Sequence, residues 1–434
     1  MGNCSGAAKE TNAVYSTQVV LNIKPNIFQQ AGYRNTLLKV TLSTPSKQFT
    51  DLCEIKNFRL KISACVLPGQ DPRGEVEKIC QDNVFIRQKP EFFLATLFDG
   101  HGSNGHKVAE FSENFMEDFF ETQDFTENTT EDFIKEMFLE CDQALISNTK
   151  KISVYGSGST AVSLIFAENG IYAGSVGDSR AILATLPADN RELPKLKKTS
   201  GFKSEFKPSR YLEPIQLTID QKPNLETELK RILAHGGVVS KATNTVGEPY
   251  GPYRVFQKSK PIPGLAMSRS LGDVAAKQVG VIADPIVEFF PLVNFKDQFI
   301  VIASDGVWDT IENNDVVNFV ETFRGQCSNF VIEHKDLELS QKNCTIARLL
   351  AEEARFRWLG ECIEQDVMID DISVLVIELS CKEITGRDES YEESRTSSKN
   401  LGSIMEVQND HASLRTPSIR STMTCFEDID MHEN

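Results

Sequence analysis

No stretch of this sequence stays apolar for the roughly 20 residues that a bilayer-spanning helix needs, so nothing in its 434 residues reads as a membrane span. The ten cysteines include no Cys-x-x-Cys pair and the amino end has no signal-peptide pattern, which favours reduced thiols in the cytoplasm over disulfides. Basic residues are in deficit. With 46 Lys and Arg against 62 Asp and Glu, the formal charge is −16 and the pI is near 5.0, so polyanions are repelled and no nucleic acid is expected as a partner. No internal repeat is evident, and the histidines and cysteines form no metal-binding cluster. The length exceeds one average domain, yet a large β sandwich with helical layers uses most of such a chain in one unit.

The organising stretch is Phe92–Gly102, in which a mostly apolar run ends abruptly on Asp99, Gly100 and His101. A β-rich run followed at once by a turn signal reads as a strand end. Glycines at 100 and 102 allow close backbone approach to whatever Asp99 holds. By itself this is equally a strand turning at an Asp-Gly dipeptide. The pattern recurs, however. Gln298–Ala303 runs into Asp305 and Asp309, and Gly170–Val176 runs into Asp178. Asp370 and Asp371 stand just before Ile372–Leu379, and in an antiparallel sheet the start of one strand lies beside the end of its neighbour. Carboxylates gathered on one rim repel one another unless a cation compensates. Oxygen ligands without a Cys or His cluster favour Mg²⁺ or Mn²⁺ over Zn²⁺.

Six segments in order, Asp99–Gly102, Gly156–Ala161, Gly177–Arg180, Gly264–Asp273, Ser304–Asp309 and Asp370–Ser373, resemble the motifs of the metal-dependent type 2C protein serine/threonine phosphatases. The resemblance covers roughly residues 57–379. It implies an α+β fold, a four-layer α-β-β-α sandwich of two mainly antiparallel sheets flanked by helices, as do the interleaved strands, helices and hairpin signals. It also implies hydrolysis of phosphoserine and phosphothreonine in phosphorylated proteins, by a monomer. Two ions about 3.5–4 Å apart would share Asp99 and a water that becomes a hydroxide near neutral pH and attacks phosphorus directly. Asp305 and Asp370 would complete one ion and the Gly100 carbonyl would help hold the other. Asp178, Asp305 and Asp309 resemble the family's third, weaker site, although Asp309 also reads as a cap for a helix starting near Asn313. Asp82 carries over as an acid that orients a coordinated water.

Where the family has a phosphate-gripping Arg, this chain has none at the expected offset. Lys78 and Arg73 are the candidates, and Gln81 stands where the family's acidic pair begins. Residues 238–263, including Arg254, occupy the position of the family's flap beside the active site, where substrate preference is expected. His101 is the candidate general acid, since an alkoxide leaving group needs a proton; the alternative is that it orients a metal ligand.

Three regions follow: an extension at 1–56 that adds an edge strand or none, a catalytic domain at 57–380, and a Ser-, Thr- and acid-rich tail at 381–434 that reads as disordered. Gly2 and Cys4 suggest myristoyl and palmitoyl attachment, hence membrane association of a cytoplasmic enzyme, against an ordinary unmodified start. The basic insertion 186–213 reads as a solvated loop or as a contact for acidic partners. Helices are expected over 108–120, 132–146, 223–234 and 345–359. The alternative function is a pseudophosphatase, a phosphoprotein-binding regulatory module, to which the altered Arg region is the pointer. The acidic surface and the lack of aromatic stacking platforms argue against a nuclease.

Overall fold

The computed structural model describes residues 45–55, 58–71, 78–148, 152–168, 170–187, 210–244, 247–258, 260–324, 345–365 and 368–381. Gly2, Cys4, Arg73, most of the basic insertion and the tail beyond 381 lie outside the described residues. The chain begins with β1 (Lys47–Ile55), β2 (Phe58–Leu67), β3 (Asp82–Gln88) and β4 (Phe93–His101), then α1 (Gly105–Thr122) and α2 (Thr130–Ser147). Next come β5 (Gly158–Ser159), β6 (Ala161–Phe166), β7 (Gly170–Val176), β8 (Arg180–Thr185), β9 (Glu213–Gln216) and α3 (Glu226–Ala234). The flap region folds as β10 (Gly237–Thr243), β11 (Pro249–Gln257) and β12 (Lys260–Leu265), followed by β13 (Leu271–Gly272) and α4 (Val274–Lys277). The last elements are β14 (Ile286–Pro291), β15 (Asp297–Ala303), α5 (Asp305–Trp308), α6 (Asn313–Phe323), α7 (Ile346–Gln365) and β16 (Ile372–Cys381).

Six strands pair in the order β1-β2-β16-β15-β8-β9, and seven make a second sheet, β13-β5-β4-β6-β7-β14 with β3 on β4. Neighbouring strands are antiparallel. The two inner faces meet in one apolar layer that includes Leu60, Ile62, Phe93, Leu97, Leu164 and Ile300. On the far side of the seven-stranded sheet, α1 and α2 bury Val108, Met116, Phe120, Met137 and Phe138 against Phe98 and Ile165. On the far side of the other sheet, α6 and α7 bury Val316, Val320, Ala347 and Leu350 against Phe299, Val301 and Val376. The result is the expected α-β-β-α sandwich. Sheets with two buried faces need strands that are mostly apolar, which is why β6 is apolar but for Ser163 and β15 is apolar from Phe299 to Ala303. Fully burying each such side chain contributes about 1.5–3 kcal/mol.

β1 is an edge strand, paired from Lys47↔Val66 to Ile55↔Phe58, and lies within the stretch read as an extension. Helix α3 starts at Glu226, three residues later than the sequence pattern suggests, because the preceding residues are committed to turn bonds, Lys222 N–H to Asp220 O and Leu225 N–H to Lys222 O.

Candidate active site

The carboxylates gather because strand ends converge. Asp82 opens β3 directly opposite Asp99 near the end of β4. The β6–β7 hairpin brings Asp178 to the same rim, β15 delivers Asp305 at the start of α5, and Asp370 and Asp371 precede β16, the partner of β15. Thr160 ties two of these segments together. Its N–H donates to Asp99 O (2.9 Å), its Oγ1 accepts from the Asp99 N–H (3.2 Å), and that hydroxyl bonds Ser179 Oγ beside Asp178 (2.7 Å). Gly100 has no room for a side chain, since a Cβ there would stand 2.5 Å from Gly105 O. Asp371 acts as a clasp: its Oδ2 accepts the Gln81 N–H at 3.0 Å, and its Oδ1 the Gly69 N–H.

Burial, followed by Asp82, Asp305, Asp370 and Asp178, raises the Asp99 carboxyl well above its ordinary range. Asp305 is raised by burial and by Asp370, Asp178 and Asp309. Burial and Asp371 push Asp82 up to about 8, even though Ser373 Oγ donates to its Oδ2 at 2.6 Å. Burial also raises Asp309, against the pull of Lys222. Two ammonium groups sit among these acids. Lys78 Nζ lies 2.6 Å from Asp370 Oδ1 and 3.9 Å from Asp371 Oδ2, and these charges hold it protonated despite its burial. Lys222 Nζ lies 2.6 Å from Asp178 Oδ2 and is likewise held charged.

Among the described residues, no three His, Cys, Asp or Glu side chains already converge as a ligand cage. Lys78 engages the carboxylates of Asp370 and Asp371, and Lys222 that of Asp178. The donor set nevertheless fits a hard divalent cation. All of it is oxygen, carboxylates with the Gly100 carbonyl, and Asp82 Oδ1 and Asp178 Oδ1 are buried without a hydrogen-bond partner, an arrangement that is costly unless a cation takes up the free lone pairs.

His101, at the end of β4, places Nε2 2.6 Å from Asp273 Oδ2, and Asp273 is buried. Burial alone would lower the histidine pKa, but the Asp273 carboxylate outweighs it and raises the value. Asp273 has φ +48°, a left-handed conformation uncommon for a residue with a side chain, and Ser270 Oγ donates to the same Oδ2 at 2.7 Å. A Cβ on Gly158 would overlap that oxygen, so Gly158 and Asp273 are shaped to each other.

The structure thus brings together Asp82, Asp99, Gly100, His101, Asp178, Asp305, Asp309, Asp370 and Lys78. Arg254 stands apart on β11, where its Nη1 donates to Gly264 O at 2.7 Å. Asp309 closes α5, and the residue capping α6 is Glu312. Trp308 is a packing residue: its Nε1 donates to Ala303 O at 2.8 Å and the Arg180 guanidinium lies over its ring at 5.0 Å. Lys222 and the pairing of Asp273 with His101 were missed from sequence. The only signals were a lysine before Pro223 and an aspartate closing a motif already noticed.

Residues 61–352 match the family model described as protein phosphatase 2C, and the chain belongs to that family of protein serine/threonine phosphatases. Probable protein phosphatase 2C 34 of Arabidopsis thaliana is 34% identical over 247 residues, which are 54% of this chain and 62% of that protein. Probable protein phosphatase 2C 72 of the same plant is 30% identical over 300 residues, 67% of this chain and 77% of that protein. The chain therefore spans under two thirds of the first relative's length and more of the second's. The crystal structure of a serine-threonine phosphatase 2C from Toxoplasma gondii superposes with a TM-score of 0.53 at 17% identity, covering 78% of this chain and 100% of that one. A C. elegans sex determining protein superposes at 0.51 and 17% identity, covering 82% and 70%. These likenesses establish the four-layer fold.

Proposed function

We propose that this chain is a Mg²⁺- or Mn²⁺-dependent phosphatase that hydrolyses phosphoserine and phosphothreonine in proteins. The observation that carries the reading is the convergence of Asp82, Asp99, Asp178, Asp305, Asp309 and Asp370 on one rim, with two buried carboxylate oxygens lacking partners. When bound, two divalent ions supply a hydroxide nucleophile near neutral pH and screen the phosphoryl oxygens, with a third ion more weakly held. Asp99, Asp305, Asp370 and the Gly100 carbonyl would hold the pair, Asp82 would orient a coordinated water, and Asp178, Asp305 and Asp309 would hold the third. The Lys78 ammonium, beside Asp370, attracts the phosphoryl group as a point charge. His101, with Nε2 engaged by Asp273, has Nδ1 left to give a proton to the departing alkoxide.

Release of phosphate from phosphoserine and phosphothreonine peptides with Mn²⁺, abolished by a chelator, is the expected result. A pseudophosphatase is the second reading, favoured by Gln81, whose Nε2 donates to Gly102 O at 2.8 Å and adds no charge to the rim. Phosphopeptide binding without turnover at saturating Mn²⁺ would establish it. The sequence around Gly2 and Cys4 supports acyl attachment, which mass spectrometry of the amino-terminal peptide from native cells tests. Region limits at residues 57 and 380 belong to the same proposal.

A further inference from the structure

Lys222 lies outside every sequence motif of the site, yet the fold fixes where its charge falls. The two residues before it are anchored. Gln221 is fully buried, its N–H donates to Gly177 O at 2.9 Å, its Oε1 accepts the Gly177 N–H, and its Nε2 donates to Ser175 O at 3.2 Å. Asp220 accepts a two-pronged contact from Arg180 at 2.9 and 2.6 Å, and the Arg180 guanidinium rests over Trp308. Pro223 follows and fixes its own φ. The segment is thereby fastened to the turn that carries Asp178, and Lys222 Nζ reaches Asp178 Oδ2 at 2.6 Å, with Asp305 and Asp309 also adding to its field.

Asp178 offers that ammonium one oxygen and keeps the other, Oδ1, buried and unpartnered. We infer that Lys222 is a built-in competitor for the third divalent ion, an ammonium that the ion must displace from Asp178 or tolerate as a like charge, and that this competition sets the weakness of that site. The inference rests on the proposed reading of Asp178, Asp305 and Asp309 as metal ligands. The two lysines differ in what remains to them. If Asp370 turns toward an ion, Lys78 still has Asp371 at 3.9 Å. If Asp178 does so, the nearby Asp220 is already taken by Arg180, and the Lys222 ammonium keeps only the longer-range pull of Asp305 and Asp309, proposed ligands of the same ion. Neutralising Lys222 removes that repulsion and leaves the acids one negative charge richer.

The test is Mn²⁺ binding to the full chain, followed by calorimetry and by electron paramagnetic resonance of the free ion. In Lys222→Met, with Lys222→Gln as a second charge-removed variant, the weakest Mn²⁺ dissociation constant should tighten about tenfold or more, and the tighter ions should change less. Lys222→Arg, which keeps the charge, should show no tightening. Asp178→Asn should lose the weakest ion. If Asp178→Asn loses it while neither Lys222→Met nor Lys222→Gln tightens it, the competition is overturned. If Asp178→Asn binds as many ions as the parent chain, the metal-site reading fails and the inference falls with it.

Discussion

Asp82, buried, and Asp99, half-buried, face each other in register across the adjacent antiparallel strands β3 and β4. Like charges directly opposite destabilise a strand pair, so the metal-free fold carries a penalty at this position. Asp82→Asn should raise the unfolding temperature of the chelated protein, by about 2–4 °C per kcal/mol relieved. The same variant should gain less from added Mn²⁺ than the parent chain does. Calorimetric scans with and without Mn²⁺ measure both, and a lower melting temperature in chelator would contradict the account.

Asp305 sits where the two sets of proposed ligands overlap. Asp305→Asn should reduce phosphopeptide turnover by about a hundredfold or more, since even outer partners of a metal site cost 10- to 100-fold. Its far-ultraviolet circular dichroism should match that of the parent chain. Undiminished turnover would remove Asp305 from the site.

For His101, the leaving group separates the two roles. As general acid, His101→Ala should lower kcat for phosphoserine peptides by about 10²–10⁴-fold, and much less for an aryl phosphate whose phenolate departs unaided. As a ligand orienter it should depress both substrates alike and raise the Mn²⁺ requirement. Equal losses on both substrates at saturating Mn²⁺ would take the acid role from it.

Glu228 gives a pH dependence away from the carboxylate rim. Burial disfavours its charge, but hydrogen bonds from Arg269, Arg231 and Ser268 outweigh that and lower its pKa to about 2. A carboxylate depressed on folding contributes stability that is fully present above its unfolded pKa and is lost as pH falls toward the folded one. The window is therefore from about 4.5 down to about 2. Glu228→Gln should destabilise the protein at pH 7 by about 2 kcal/mol after screening at the partly exposed guanidinium groups. It should also flatten the acid limb of the stability curve, read from urea unfolding at a series of pH values.

Part of the acidic rim was legible in the sequence because β4 and β15 are apolar runs that give way to Asp99 and Asp305, and local chemistry alone marks that stop. What could not be read is what depends on distant segments meeting. Asp273 reaches His101 across 172 positions and Lys222 reaches Asp178 across 44, and no periodicity records such meetings. Nor did the pattern around residues 238–263 reveal three paired strands, since the exposed Tyr250 and Tyr253 follow no inward-outward alternation.

That three-stranded region, β10 to β12, shares with α3 and α4 a small apolar cluster, Ile232, Val255, Leu265, Met267, Ala276, Val279 and Val281, separate from the three apolar layers of the sandwich. A unit held by so few side chains opens by itself at a fraction of the global unfolding free energy. Its backbone amides should accordingly trade hydrogen for deuterium well before those of β4 and β15. Substitutions at its exposed positions, Tyr250 and Tyr253 among them, can therefore reshape this surface while the three apolar layers of the sandwich stay closed.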